Sequence, residues 1–321
     1  MAQDPERTLG EVGEFGLLRE LLADLPTSPA VSVGVGDDAA VFLLSGSAVV
    51  STDMLVEGVH FRRDWSGPRE IGRKAIAVNA SDIESMGARP VALVIGLGAP
   101  AETPVAWVKD LLSGIKEEAE LAQVVLVGGD TTSAPQVTIS VTVIGETDGR
   151  APVLRSGALP GQLVAFTGRL GWAAAGLTAL QRGFRSPRAA VTAQRVPEVP
   201  YGQGRIAADS GATAMIDISD GLRADLGHIA EASGVVIDID ASLVPIAEPL
   251  RVVGHATGID PLQFALGGGE DQGLVATFDE GFVPDGWTTI GVVRRLPGDT
   301  DPVVLVNGEV PEGAAGWTHF G

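Results

Sequence analysis

Cysteine is absent from the 321-residue chain, which removes disulfides, Cys-ligated zinc, iron–sulfur clusters and thiol nucleophiles together. Histidine occurs four times, too few for a His-rich transition-metal site. Lysine is scarcer still. None of Lys74, Lys109 and Lys116 follows a glycine, so there is no GxxxxGK[ST] phosphate loop. Neither a GxSxG elbow nor an HRD…DFG kinase set occurs, and no His stands beside a Ser. Long hydrophobic runs are also missing. The most apolar stretch, Val91 to Ala101, is short and broken by Gly and Pro, so no bilayer-spanning segment is expected. The opening residues, MAQDPERTLGEVGEF, carry no basic and then apolar leader pattern. The expectation is a soluble cytoplasmic protein with no membrane partner.

Acid is what the chain has in excess. Against 22 basic residues stand 41 acidic ones, for a formal net charge of −19. Such a surface repels nucleic acid and anionic membranes. If its ligands are anionic too, metal cations are the natural source of attraction. Hydrophobic residues make up 45% of the chain, ample for a core, and the length suggests two domains.

Periodicity alternates strands and helices, which predicts an α/β or α+β protein. Strand-like runs are Val31–Val35, Ala48–Ser51, Val91–Gly96, Val124–Val127, Val137–Ile144, Leu163–Thr167, Met215–Ile218, Val235–Ile239 and Gly273–Thr277. Helix-like runs are Phe15–Leu25, Glu70–Met86, Val105–Leu121, Trp172–Arg182, Leu222–Ala232 and Pro261–Leu266. The clearest helix follows Pro68 and stops at Gly87 and Pro90. Its Ala75, Ala77, Ala80 and Ser81 invite close backbone approach, and Asn79 and Asp82 share a face. The polar stretch DGRAPVLRSGALPG, Asp148–Gly161, marks a boundary between domains 1–150 and 151–321. Arg185–Gln203, rich in Pro, reads as a long surface loop.

Carboxylates recur at the ends of the apolar runs. GDDAAV brings Asp37 and Asp38; Ser51-Thr52-Asp53 lies in VVSTDMLVEGVHF; Gly128-Gly129-Asp130 ends VVLVGGDTT. Asp217-Ile218-Ser219-Asp220 lies in MIDISDGL, and Glu270-Asp271 in LGGGEDQGL. Each has an ordinary alternative. The Asp37–Asp38 pair suits a surface turn. Asp130 suits a Gly-rich turn, Asp82 a surface ion pair, and Asp220 the N-cap of the helix whose stripe is Leu222, Leu226 and Ile229. Asp217 interrupts an apolar strand and is harder to dismiss. Five acidic sites of one type suggest convergence on one cleft.

Two carboxylates about 5 Å apart repel by roughly 3 kcal/mol at an effective dielectric near 20. A cluster therefore calls for cations. Magnesium takes carboxylate oxygens together with substrate phosphates, so the pattern points to Mg²⁺ and a phosphate ligand. Arg155 and Lys74 are candidate phosphate contacts, as is the Gly168-Arg169-Leu170-Gly171 turn before a helix. The missing nucleophile is no obstacle if the acceptor is a phosphate monoester, whose oxygen is largely anionic near neutral pH.

In order along the chain stand GEFGLLREL, GDDAAV, STDMLVEGVHF, GRKAIAVNASDIESMGARP, GGDTT, DISDGL and GGED. This series resembles the thiamine-monophosphate kinase family, within the superfamily of aminoimidazole ribonucleotide synthetase, selenophosphate synthetase and a hydrogenase maturation enzyme. The match runs from about Gly13 to Trp317. The resemblance implies ATP-dependent phosphorylation of thiamine phosphate to thiamine diphosphate. It implies an N-terminal domain with a mixed sheet that pairs in a dimeric barrel, a C-terminal α/β sandwich, and a homodimer. It also implies that Asp37, Ser51, Thr52, Asp53, Asp82, Asp130, Asp217 and Asp220 hold Mg²⁺, with Asp53, Asp130, Asp217 and Asp220 central to catalysis. Gly129, Asp130, Arg155 and Ser219 would contact ATP, and His60, Glu270 and Trp317 the thiamine moiety. A cationic thiazolium suits the charge of Glu270 and the aromatic face of Trp317, although Trp317 could be an ordinary core aromatic and His60 a loop residue. Two departures bear on ligand contacts: Gln272 stands where the family more often has tyrosine, and Leu111-Leu112 where an aromatic is common. The rival implications are a synthetase of the same superfamily and a nonenzymatic Mg·ATP-binding regulator.

Overall fold

The computed structural model describes residues 7–22, 25–35, 39–298 and 300–317, without the side chains of Glu14 and Phe15. Asp37 and Asp38 therefore lie outside the described residues. The chain divides into two compact units, one of residues 1–83 and 89–150, the other of 84–88 and 151–321. No helix among the described residues is long and apolar enough to cross a membrane.

In the first unit the elements are α1 (Leu9–Leu21), β1 (Val31–Val33), β2 (Val41–Phe42), β3 (Ala48–Val56), α2 (Pro68–Ser85), β4 (Arg89–Ala99), α3 (Val105–Leu121), β5 (Val125–Ser133) and β6 (Thr138–Glu146). A four-stranded mixed sheet runs β3-β6-β4-β5, with β4 and β5 parallel and the other pairs antiparallel. Alternation on β6 separates its faces. Ile139, Val141 and Val143 are buried, while Thr138, Ser140 and Thr142 are half-buried. The short β1–β2 pair packs Val31 and Phe42 against Val91, Ala92 and Val127.

Small residues set how closely α2 and α3 cross. A Cβ on Gly72 would lie 2.1 Å from the Leu111 carbonyl oxygen, and one on Gly114 would lie 1.9 Å from that of Arg69. The sequence suggested close approach through Ala75, Ala77 and Ala80; these are buried, but the tightest contacts fall at the two glycines. At the start of α2, Glu70 reaches back to accept the Gly67 N–H at 2.8 Å, next to Pro68.

The second unit contains β7 (Leu163–Thr167), α4 (Trp172–Gln181), α5 (Arg188–Arg195), α6 (Gln203–Asp209), β8 (Ala214–Ile218), α7 (Leu222–Ser233), β9 (Val235–Ile239), α8 (Glu248–Thr257), α9 (Pro261–Gly267), β10 (Gly273–Phe278), β11 (Thr288–Arg295) and β12 (Val303–Val306). Its six-stranded sheet is ordered β12-β9-β11-β7-β10-β8. Every residue of β8, β9 and β10 is buried. Phe278 and Trp287 meet edge to face, 5.4 Å apart, in a core with Met215, Leu274 and Ala165.

Two readings of this unit change. Arg185–Gln203 is no loop throughout, because α5 occupies its centre and buries Ala190, Val191, Ala193 and Gln194. Pro187 suits the residue just before a helix, and Gly176 of α4 lets the Ala190 carbonyl come close. The Gly168–Gly171 turn does precede a helix, but Asp271 takes that helix start. Its carboxylate accepts the N–H groups of Gly171 and, at 2.9 Å, Ala173.

Two predictions follow from this packing. Gly114→Ala is expected to lower the unfolding free energy by about 1–3 kcal/mol, since a clash with backbone outweighs the better helix propensity. Gly227→Ala in α7, where an added Cβ meets nothing within 4 Å, is expected to raise it by about 0.5–1 kcal/mol. Denaturant titration distinguishes the two. Burial pushes the Asp271 carboxyl up to about 7, against an ordinary value of 3.8, although the α4 amides pull it down. Between those values the folded chain holds a proton that the unfolded chain releases, so stability falls as pH rises through this window. Relative to Asp271→Asn, the native chain should lose on the order of 3 kcal/mol between about pH 4 and pH 7, and the difference should be level above that.

Candidate active site

In the first unit the sequence-predicted residues gather where β3 meets α2. Asn79 and Asp82, one turn apart, both face the strand. The Asn79 Oδ1 accepts the Asp53 N–H at 3.0 Å, and its amide donates to the Ala75 carbonyl at 2.8 Å. Asp82 Oδ2 accepts the Ser51 hydroxyl at 2.6 Å. Thr52 points the other way, as strand alternation requires, and donates to the Val141 carbonyl at 2.9 Å. Its hydroxyl also accepts from Thr142 at 3.0 Å. Ser51, Asp53 and Asp82 thus form one oxygen-rich patch, with Thr52 beside it on the strand.

His60 lies in the turn after β3. Its Nδ1 accepts the Val56 N–H at 3.0 Å, which leaves the ring proton on Nε2 when the imidazole is neutral. Lys74 is not a phosphate contact. Its side chain is 2% exposed, and Nζ donates to the His60 carbonyl at 3.0 Å, so it fastens the turn from below. Leu111, at one of the departures from the family pattern, is buried where α2 and α3 cross.

Gly129 and Asp130 are on β5, at the opposite edge of the sheet from β3. Register carries the row from Asp53 to Val141, Ile95 and then Gly129. Three strand spacings of about 4.8 Å separate the ends of that row, about 14 Å of backbone. Asp130 therefore sits far across the sheet from Asp53 within one chain. It is exposed, and its Oδ1 accepts the Thr131 N–H at 2.9 Å.

In the second unit three segments meet at the end of β8. Asp217 is 5% exposed and opposite Leu274. Beyond it, the Ser219 carbonyl accepts the Glu270 N–H at 2.7 Å, and the Ile218 carbonyl that of Gln272 at 2.9 Å. The Asp220 carbonyl accepts the Trp317 N–H at 3.0 Å. Ser219, Asp220, Glu270 and Trp317 are thereby brought into one neighbourhood. Glu270 and Gln272 both adopt left-handed backbone, φ 68° and 55°, with Asp271 anchored inward between them. Gln272 is buried and Trp317 is 58% exposed, so Trp317 is no core aromatic. Arg155 is exposed, and its carbonyl accepts the Ser233 hydroxyl at 3.2 Å.

Asp220 does not cap the helix that follows. Gly221 is the N-cap residue, and the amides leading into the helix are taken by Asp225. Its Oδ2 accepts the N–H groups of Ser219, Asp220 and Gly221 at 3.1, 3.2 and 3.0 Å. Burial, and then the neighbouring Asp220, raise its carboxyl to about 7, while those amides pull it down. Asp225 was missed in the sequence, though a signal was there: it falls three residues after Leu222 and one before Leu226, on the apolar stripe.

Among the described residues no three His, Asp or Glu side chains gather closely enough to hold a metal by themselves. The acids divide instead between the units: Asp53, Asp82 and Asp130 in one, Asp217, Asp220 and Glu270 in the other. Their chemistry suits magnesium. All the donors are carboxylate or hydroxyl oxygens, and the Ser51–Asp82 bond already orients two of them.

Residues 36–147 match the family of AIR synthase related protein, N-terminal domain, and residues 160–280 its C-terminal domain. The thiamine-monophosphate kinase of Mycobacterium tuberculosis is 50% identical over 98% of this chain and 93% of its own. A crystal structure of thiamine-monophosphate kinase from Stenotrophomonas maltophilia superposes with a TM-score of 0.79 at 31% identity, covering 92% of this chain and 95% of the other. AaThiL complexed with AMPPCP and TMP superposes with a TM-score of 0.78 at 34% identity, over 98% and 99%. With both domains matched and a 50% identical thiamine-monophosphate kinase covering nearly the whole chain, the chain belongs to the thiamine-monophosphate kinase family.

Proposed function

We propose that the protein transfers the γ-phosphoryl group of ATP to the phosphate of thiamine phosphate, giving thiamine diphosphate and ADP. One observation carries the reading: a 50% identical thiamine-monophosphate kinase aligns with nearly the whole chain. The acceptor needs no activated side chain, because its own phosphate oxygen attacks in line. Accordingly the chain offers no cysteine, and no His stands next to a Ser in the sequence.

Ser51, Thr52, Asp53, Asp82, Asp130, Asp217 and Asp220 would hold Mg²⁺, along with Asp37 outside the described residues. Bound there, Mg²⁺ would neutralise charge on the two polyanions. Gly129, Asp130, Arg155 and Ser219 would bind ATP. Asn79 fixes the backbone at Asp53, so its carboxylate is presented from a rigid strand. His60, with its proton on Nε2, offers a donor to the thiamine moiety. Glu270 supplies a charge opposite to thiazolium, and the exposed Trp317 a face for stacking. Residues 1–150 would thus bind Mg·ATP and dimerise, with 151–321 completing the site. The enzyme would be cytoplasmic, with no nucleic-acid or membrane partner.

A homodimer makes sense of the sheet. β3 and β5 are both nine-residue edge strands, and Val50 and Met54 on β3 are 61% and 53% exposed. Two copies closing their sheets edge to edge would cover them and set β5 of one beside β3 of the other. The strand that carries Asp130 in one copy would then lie beside the strand that carries Asp53 in its partner, across the gap that no single chain spans.

Asp53→Asn should leave the fold intact and reduce turnover at least 1,000-fold, on the order expected when charge stabilisation at the reacting phosphates is lost. ADP release with Mg·ATP should require thiamine phosphate. Turnover only with formylglycinamidine ribonucleotide, or ATP binding without turnover on any acceptor, would overturn the kinase reading. Mixed dimers of Asp53→Asn with Asp130→Asn should regain up to half the native activity per dimer, since one junction keeps both native acids. An inactive mixed dimer would sink the shared site while leaving the reaction untouched.

A further inference from the structure

After β12 the backbone leaves the core. Residues 311–317 run across the start of α7 as a strap whose residues are exposed or half-buried, so little apolar burial holds it. Hydrogen bonds hold it instead, and one side chain supplies most of them. Arg223 Nη1 donates to the Glu312 and Ala314 carbonyls at 3.5 and 3.4 Å, and Nη2 to the Pro311 carbonyl at 3.3 Å. A guanidinium fork can reach several carbonyls at once, which a lysine ammonium on a flexible stem does less well. The same side chain has a buried Nε with no hydrogen-bond partner among the described residues, and burial lowers its pKa. Holding the strap is thus achieved against a desolvation cost.

Beyond the clamp the strap presses onto the functional loops. A Cβ on Gly316 would lie 2.4 Å from the Asp220 carbonyl oxygen and 2.7 Å from the Ala224 Cβ. A Cβ on Gly267, where the GGED loop begins, would lie 3.7 Å from the Ala315 carbonyl oxygen. The next residue is Trp317, whose N–H is fixed on Asp220 while 58% of the residue stays exposed. A large aromatic fixed by its backbone but left open to solvent is an arrangement for a ligand rather than for a core.

We propose that Arg223 is a positioning residue for substrate-ring recognition: by clamping the strap over α7 it holds the Trp317 indole beside the Ser219–Asp220 and Glu270 loops. The proposal rests on the reading that Trp317 contacts thiamine phosphate. The Arg223 guanidinium donates to strap carbonyls and to no residue assigned to ATP or Mg²⁺, so its effect is expected chiefly on thiamine phosphate.

The test compares Arg223→Ala, Arg223→Lys, Gly316→Ala and Trp317→Ala in the full chain. Arg223→Ala should raise KM for thiamine phosphate roughly fivefold or more, with KM for ATP and kcat within about twofold. Arg223→Lys should fall between Arg223→Ala and the native chain. Gly316→Ala lifts the strap without touching the clamp and should reproduce the KM effect even if Arg223→Ala folds poorly. Hydrogen exchange gives a readout independent of activity: the Trp317 amide, bonded to the Asp220 carbonyl, should exchange faster in Arg223→Ala, while the amides of α7 keep their protection. Unchanged exchange at the Trp317 amide would overturn the clamp. A raised KM in Trp317→Ala with none in Arg223→Ala or Gly316→Ala would overturn the positioning role. An unaltered KM in Trp317→Ala would instead remove the substrate contact on which the proposal stands.

Discussion

Buried carboxylates that are satisfied by backbone amides, rather than by cations, underlie the organisation of the second unit. Buried Asp238 of this unit pairs with Arg294, but three other buried acids rest on amides. Asp271 takes amides at the start of α4, Glu84 accepts the Gly202 and Gly204 N–H groups at the start of α6, and Asp225 gathers three amides ahead of α7. Unpaired N–H groups at helix starts are partial positive charges in fixed positions. For Glu84, as for the other two, burial is the larger influence and holds the carboxyl above its ordinary range. The amides therefore offset the cost of burial without cancelling it. What the arrangement achieves is geometric. Asp225 and Asp271 pin the loops from inside, and Asp220 and Glu270 beside them stay partly exposed.

Pinning also explains the backbone of the GGED loop. Non-glycine residues at positive φ are costly, and two of them in three positions need over-determined surroundings. Glu270 and Gln272 have them, through amide bonds to Ser219 and Ile218 and through Asp271 between them. A tyrosine side chain in place of Gln272 would have to fit the same left-handed backbone and the same buried position.

Much of this was legible in the sequence, and the reason is that it is local. The strands carrying Asp53, Asp130 and Asp217 announce themselves by apolar alternation broken by acid, and α2 by Pro68, its small residues and Gly87. Strand ends were read short where polar residues continue the ladder, as in β3, which runs on through Asp53 to Val56. The strand β11 was missed because TTIGVVRR mixes glycine and charge, and α8 because its apolar face is only three residues, Leu250, Val253 and Gly254. Asp220 was open to misreading as a cap because a cap supplied from inside the helix, by Asp225, follows no N-terminal motif. Sheet order was invisible altogether. Nothing in the local pattern says that β3 and β5 lie at opposite edges, which is why the acids looked as though they could converge within one chain.

The nature of the acceptor sets where selectivity has to reside. In the proposed reaction thiamine phosphate brings its own attacking oxygen, and that oxygen resembles the oxygen of any other phosphate monoester. Residues acting on the phosphates therefore raise the rate for any monoester that reaches them, and do little to choose among them. Choice must come from groups that recognise the distant ring, and a site built around a cationic aromatic ring rejects acceptors that lack it by leaving Glu270 and Trp317 without partners. Such discrimination works only if those groups are fixed before substrate arrives, since a mobile indole would spend binding energy on being ordered. The chain fixes them through main-chain bonds to Ser219 and Asp220, the same residues assigned to nucleotide and metal. Ring recognition and phosphate chemistry then share one rigid loop, so an acceptor whose ring is misplaced also presents its phosphate out of line.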